Sequence, residues 1–241
     1  MTQAVLPDGI RRVFVWDAPV RLFHWLLLAL IAVAWFTGEG EGSAASIHRL
    51  AGEAIAGLLV FRIVWGFVGG EHARFADFVA GPAAIVAHVR DLASSRPKRR
   101  LGHNPLGALA VVLLLLNIAV IVFTGLFSGG DDNAGPFAGV WGLELSEAHE
   151  IAFRVLQALV VVHVLGVAVE TLRARDALVP AMITGWKRRG KDEPGTDARR
   201  ASAAALIAAV LLGVAASTVL MMQPPSQAVA REAGHDEPER D

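Results

Sequence analysis

Five stretches of the chain stay apolar for long enough to cross a bilayer, and polar or charged segments separate them. The first runs over about Val20–Phe36 and is opened by Pro19, a residue suited to the first turn of a helix. The second covers about Ile47–Val68, closed by Gly69 and Gly70, and the third about Asn104–Phe127. Glu147–Thr171 is the fourth, and an alanine-rich fifth covers about Ala201–Met222. The segment Glu71–Leu101 is too polar to span, but Pro82–Leu92 within it is amphipathic and predicts a helix lying on the membrane surface. Residues 223–241 are acidic and proline-containing, which predicts a disordered tail. The pattern predicts an all-α integral membrane protein, a four-helix transmembrane bundle with a fifth C-terminal transmembrane helix.

Charge placement gives these spans a direction. Lysine and arginine collect in residues 1–19, 71–103 and 172–200, whereas the loops 37–46 and 128–146 contain neither. Basic loops are retained in the cytoplasm, so the N-terminus is expected inside and the C-terminus outside, with a membrane-lipid environment between. Trp16, Asp17 and Arg21 lead into a full-length apolar span one without a small-residue cleavage site, so that span is expected to be kept. A formal net charge of −1 argues against a nucleic-acid partner. The chain contains no cysteine, which excludes disulfides, thiolate-held iron–sulfur clusters and covalent c-type haem attachment.

The remaining chemistry lies in histidines. His149 and His163 stand fourteen positions apart in span four. At about 100° and about 1.5 Å per residue, they share one face to within roughly 40° and differ by roughly 21 Å in depth. Span one enters from the cytoplasmic side and spans two and four from the outer side. That sorts His24 to the depth of His163 and His48 to the depth of His149. Two matched imidazole pairs suit two non-covalent six-coordinate haems, although a histidine in a span also serves as hydrogen-bonding glue between helices. Gly52 and Gly166, near the ligands, would let a flat group approach a helix; small residues also serve close helix packing. Arg62 lies fourteen positions after His48, at the depth of the inner pair, where it either meets a haem propionate or snorkels to the cytoplasmic surface. Arg49 and Arg154 share that ambiguity near the outer pair, and Asn117 is expected to hydrogen-bond between helices. His103 either caps span three, competes as a ligand or sits at a quinone or surface site. His72 and His88 are expected to be solvated. His149-Glu150 opens an H-E-x-x-H pattern, but Phe153 replaces its second histidine and no metalloprotease is implied.

Several segments, in order, carry a resemblance: Val15-Trp16-Asp17, Pro19-Val20-Arg21, Phe23-His24-Trp25, His48-Arg49-Leu50-Ala51-Gly52, Phe61-Arg62-Ile63-Val64-Trp65-Gly66, His72-Ala73-Arg74-Phe75, Gly102-His103-Asn104-Pro105 and His149-Glu150. Over about residues 13–190 the chain resembles the bacterial cytochrome b561 and nickel–iron hydrogenase cytochrome b family. The resemblance implies a four-helix domain over 13–190; the apolar stretch 201–222 lies beyond it as an additional transmembrane helix. It also implies two b-type haems held by His24, His48, His149 and His163 in a bacterial inner membrane. Electrons would pass between membrane quinone and a redox partner, either a soluble cytochrome or a subunit of a hydrogenase or other oxidoreductase. Two other readings are a transporter relaying protons or metal ions through its histidines, and a membrane anchor whose haem is structural.

Overall fold

The computed structural model describes residues 10–94, 99–129, 134–190, 193 and 195–223; the tail expected to be disordered lies outside them, apart from Gln223. In chain order the elements are β1 (Arg11–Phe14), α1 (Ala18–Thr37), α2 (Ser43–Val68), α3 (Phe75–Phe78), α4 (Pro82–Ala93), α5 (Pro105–Leu126), α6 (Ser146–Ala174), α7 (Leu178–Thr184), β2 (Trp186–Arg189) and α8 (Ala203–Met221), with short 3₁₀ turns at Glu71–Ala73 and Val140–Gly142. Helices α1, α2, α5, α6 and α8 are long and apolar enough to cross a membrane. Their bounds reproduce the five expected spans, α2 beginning four residues earlier and α6 ending three later. Leu116, Leu165 and Leu211 are each about 60% exposed on these helices. Such leucine-rich outward faces suit a hydrocarbon surround, which an all-helical backbone can occupy with its polar groups paired.

Side-chain caps start three of the spans. Asp17 Oδ1 accepts the N–H of Val20 at 2.9 Å, Asn104 Oδ1 that of Gly107 at 2.7 Å, and Ser202 Oγ that of Ala205 at 3.2 Å. Span three is therefore capped by Asn104, followed by Pro105, and His103 is released for other contacts.

The chain divides into two compact units. One comprises Met1–Trp25, Arg62–Leu114 and Ala158–Ala209. It contains a two-stranded antiparallel sheet that the apolar pattern did not predict, pairing Arg11 with Arg189 and Phe14 with Trp186. Like charges directly opposed in a sheet are destabilising unless they are compensated. Here Lys187 and Arg189, on one face of β2 by the alternation of strand side chains, are buried against Asp176. Lys187 Nζ reaches Asp176 Oδ2 at 2.8 Å and Arg189 Nη1 reaches Oδ1 at 3.1 Å, and both cations also donate to the Arg100 carbonyl. Burial alone would raise the pKa of Asp176. The hydrogen bond from Arg189 and the charge and hydrogen bond of Lys187 outweigh it and hold the carboxyl below its usual range. In the same unit, α4 forms over the stretch expected to be an amphipathic helix, with Val86 and Val89 exposed. Arg173 donates to the carbonyls of Leu92, Ala93 and Ser94 at its C-terminal end.

The other unit comprises Leu26–Phe61, Leu115–Gln157 and Val210–Asp241. Within it α8 meets α2 at two glycines. A Cβ on Gly57 would lie 2.6 Å from the Gly213 carbonyl oxygen, and one on Gly213 would lie 2.7 Å from the Gly57 carbonyl oxygen. Small residues at a crossing let backbones approach closely where no hydrophobic force drives helices together.

The Asp176 cluster yields a stability prediction. Asp176→Asn removes the carboxylate shared by two buried cations, leaving Lys187 without a counter-charge and Arg189 with only Glu193 at 3.8 Å, and is expected to cost about 3 kcal/mol, read as a lower melting temperature of the purified protein in detergent. Because the folded pKa of Asp176 is depressed, this contribution is complete above the unfolded value. It is lost as pH falls through the folded one. Unchanged melting in the variant would show that the cluster does not support the fold.

Candidate functional site

The second unit brings His48 and His149 together. Their ring centroids lie 6.2 Å apart with planes at 78°. Each ring is fixed through Nδ1. His48 Nδ1 stands 2.8 Å from the Ala34 carbonyl oxygen, among the last four carbonyls of α1, which lack an intrahelical donor. His149 Nδ1 stands 3.0 Å from the Ile121 carbonyl oxygen and 3.2 Å from Thr124 Oγ1. A carbonyl only accepts, so Nδ1 carries the proton in each neutral ring and Nε2 keeps the lone pair. This is the arrangement of metal-ligating histidine, in which the second nitrogen is held by a backbone carbonyl. Two metal–nitrogen bonds of about 2 Å in line, plus the two ring radii, also place centroids roughly 6 Å apart. Among the described residues no group of three or more histidine or carboxylate side chains is arranged to hold a metal ion.

The approach of His149 depends on Gly125. A Cβ there would lie 3.0 Å from His149 Cε1 and 3.2 Å from Nδ1, so any side chain would push the ring a few tenths of an ångström from its place beside the Ile121 carbonyl. Thr124 and Gly125 were missed in the sequence. Their signal was a polar and a small residue side by side near the end of a helix rich in leucine, valine and isoleucine. At Gly52 an added Cβ would meet nothing within 4 Å, so open space lies beside α2 one turn after His48. Asn117, expected to bridge helices, leaves its buried Oδ1 without a hydrogen-bond partner among the described residues. Arg49 reaches Glu53 at 3.7 Å, and exposed Arg154 pairs with Glu150 at 3.2 Å on its own helix.

The first unit holds His24 and His163, half-buried and within electrostatic reach of each other. Nδ1 of His24 is sealed from solvent with no hydrogen-bond partner among the described residues. Gly166, like Gly52, faces open space. Arg62 does not snorkel: it is 3% exposed, its guanidinium 4.9 Å from the Phe75 ring centre and 5.9 Å from that of Phe78. The cover is built by the sequence around it. Gly66 admits Phe75, whose ring would lie 2.0 Å from a Cβ at that position. Asp17, besides capping α1, accepts Trp65 Nε1 at 3.1 Å and the Gly70 N–H at 3.3 Å. Arg62 Nη1 is buried without a hydrogen-bond partner among the described residues. A buried cationic donor left open in this way suits an anionic group such as a carboxylate.

His103 packs edge-on against Trp16, centroids 4.7 Å apart, and at a tilt against Phe78, centroids 4.4 Å apart. Burial, then Arg62, His72, Lys187 and His163, push its pKa down to about 3, so the ring is neutral. Two expectations need correction. His88 is not solvated but 1% exposed, its Nε2 3.4 Å from a Glu170 carboxylate oxygen, because α4 docks that face on α6. His72 is partly packed, its Nδ1 2.8 Å from Asp77 Oδ2 and its ring against Trp16.

Residues 15–185 match the family described as prokaryotic cytochrome b561. The "Probable Ni/Fe-hydrogenase B-type cytochrome subunit" of Rhizobium leguminosarum bv. viciae is 28% identical over 210 residues, covering 72% of this chain and 87% of that protein. The protein of the same description from Azotobacter vinelandii is 29% identical over 221 residues, covering 76% and 91%. The "Probable Ni/Fe-hydrogenase 1 B-type cytochrome subunit" of Escherichia coli (strain K12) is 26% identical over 217 residues, covering 75% and 92%. No solved structure matches the chain significantly. With five spans and a family match over most of its length, the chain belongs to the prokaryotic cytochrome b561 family and is a multi-pass membrane b-type cytochrome of electron transfer.

Proposed function

We propose that the protein is a two-haem cytochrome that moves electrons across the bacterial inner membrane between quinone and a protein partner. His48 with His149, and His24 with His163, are the axial ligand pairs. The observation that carries this reading is the His48–His149 pair, two rings at ligating separation, each held by a carbonyl at Nδ1. Haem b, when bound, supplies a one-electron couple at its iron. The protein's part is to fix the imidazoles, exclude water from around them and present Arg62 to a propionate. No side chain has to act as a nucleophile. The partner favoured is a nickel–iron hydrogenase, because the relatives are described as hydrogenase cytochrome subunits. Cysteine-free haem binding is non-covalent, so acid acetone is expected to extract about two haems per chain.

The pairing is tested by spectra. His48→Ala and His149→Ala are expected to remove one haem component, His24→Ala and His163→Ala the other, and His103→Ala neither. A ligand lost at one position cannot be replaced by a histidine roughly 21 Å further along a rigid helix. Spectrally equivalent His24→Ala and His48→Ala variants would overturn the assignment.

Loop charges favour a cytoplasmic N-terminus and a periplasmic C-terminus. A reporter fused after Asp241 is expected to be active only outside the cytoplasm, and cytoplasmic activity would reverse the orientation.

A further inference from the structure

We infer that the groove between α2, α5 and α8 holds one acyl chain of a membrane phospholipid, whose phosphate is met by Arg49. The inference goes beyond electron transfer and does not depend on how the haems are held.

The groove lies wholly within the second unit. It is a cavity of about 590 Å³, bordered by Ala56 and Val60 of α2, Val122 and Leu126 of α5, and Leu212 and Leu220 of α8. That volume is in the range of small-molecule sites. Every side chain lining it is alanine, valine or leucine, so its walls recognise hydrocarbon and nothing else. One wall is α8, which lies beyond residue 185, where the family match ends.

Length decides which hydrocarbon fits. At one end Leu212 adjoins Gly213, where α8 touches α2 through Gly57; at the other Leu220 is one residue from the end of α8. From Leu212 to Leu220 the helix rises about 12 Å. A partner helix crossing the bilayer would need about 30 Å of groove, whereas an acyl chain belongs to one leaflet, half of that thickness. The groove matches the leaflet on the side where α8 finishes, which in the orientation proposed above is the periplasmic one.

That end carries a cation. Arg49 precedes Ala56 by seven positions and Val60 by eleven, so all three share one face of α2 to within about 20°. Its Nη1 stands 3.5 Å from the Gln223 carbonyl oxygen, which puts the guanidinium where α8 ends. Nη1 is also 3.7 Å from buried Glu53, a turn deeper in α2. This distance is too long for a hydrogen bond, and the carboxylate holds the cation from the protein side. The Arg49 side chain is 27% exposed, and a guanidinium's planar fork suits the oxygens of a phosphate. An apolar slot one leaflet deep with a cation at its outer end is complementary to a phospholipid. A quinone has a hydrocarbon tail but no anion for Arg49. A chain seated here fills the space beside α8 and ties the fifth helix to α2 and α5.

Native mass spectrometry of the purified protein, washed extensively in detergent, tests this. The wild type is expected to retain about one phospholipid per chain. Arg49→Gln, which removes the cation, and Ala216→Phe, which fills the groove from α8, are each expected to lower that occupancy at least tenfold. Added back to delipidated wild type, phosphatidylethanolamine is expected to bind at one per chain and raise the melting temperature, whereas diacylglycerol, which lacks the phosphate, is not. Several loosely held lipids that neither variant changes, a retained quinone in place of phospholipid, or equal binding of diacylglycerol would each overturn the inference. The add-back uses unaltered protein, so it decides the matter even where a variant fails to assemble.

Discussion

A neutral imidazole placed in a bilayer has two nitrogens to satisfy, a donor and an acceptor, and no water to satisfy them with. His48 and His149 meet the donor half of that demand with carbonyls of neighbouring helices. One carbonyl is left over at the C-terminal end of α1. The other lies inside α5 and becomes reachable because Gly125 has no side chain. Once the donor is spent, the tautomer and ring plane are set, and the acceptor nitrogen is left for a metal. The position of α5 relative to His149 thus answers the needs of a ring on another helix.

The same economy of polar groups organises the basic segments. Read along the chain, Arg99, Lys187 and Arg189 are topogenic charges, members of the clusters that orient spans. In the folded protein they converge on one carboxylate, Asp176, with Lys187 and Arg189 almost fully buried. Arg62 is the exception, since the described residues give it aromatic cover and no ion pair. Its environment is built from Gly66, Phe75, Phe78, Trp65 and Asp17, which explains in contact terms why these residue types recur around it.

The spans were legible in the sequence because twenty apolar residues admit few other fates. The approach of His48 to His149 was legible because a helix converts fourteen positions into a face and a depth. The β1–β2 pair was not legible: four-residue strands rich in arginine carry no apolar alternation, and β1 and β2 lie far apart in sequence. His88 was misread for a related reason. Its polarity suggested solvent, whereas burial depended on Glu170, eighty-two positions away. Thr124 and Gly125 act on a histidine in another span, and only the packed helices show what they are for.

The crossing of α8 on α2 has a consequence for how such a helix can change over generations. Contact through Gly57 and Gly213 is a matter of phase: backbone touches backbone only where both glycines face each other. One residue inserted into α8 ahead of Gly213 would turn the rest of the helix by about 100° and point a side chain at α2 instead. Leucine can become valine or isoleucine almost anywhere else on that helix at little cost, since lipid does not discriminate among them. The fifth helix is therefore free to drift in composition while being nearly frozen in length.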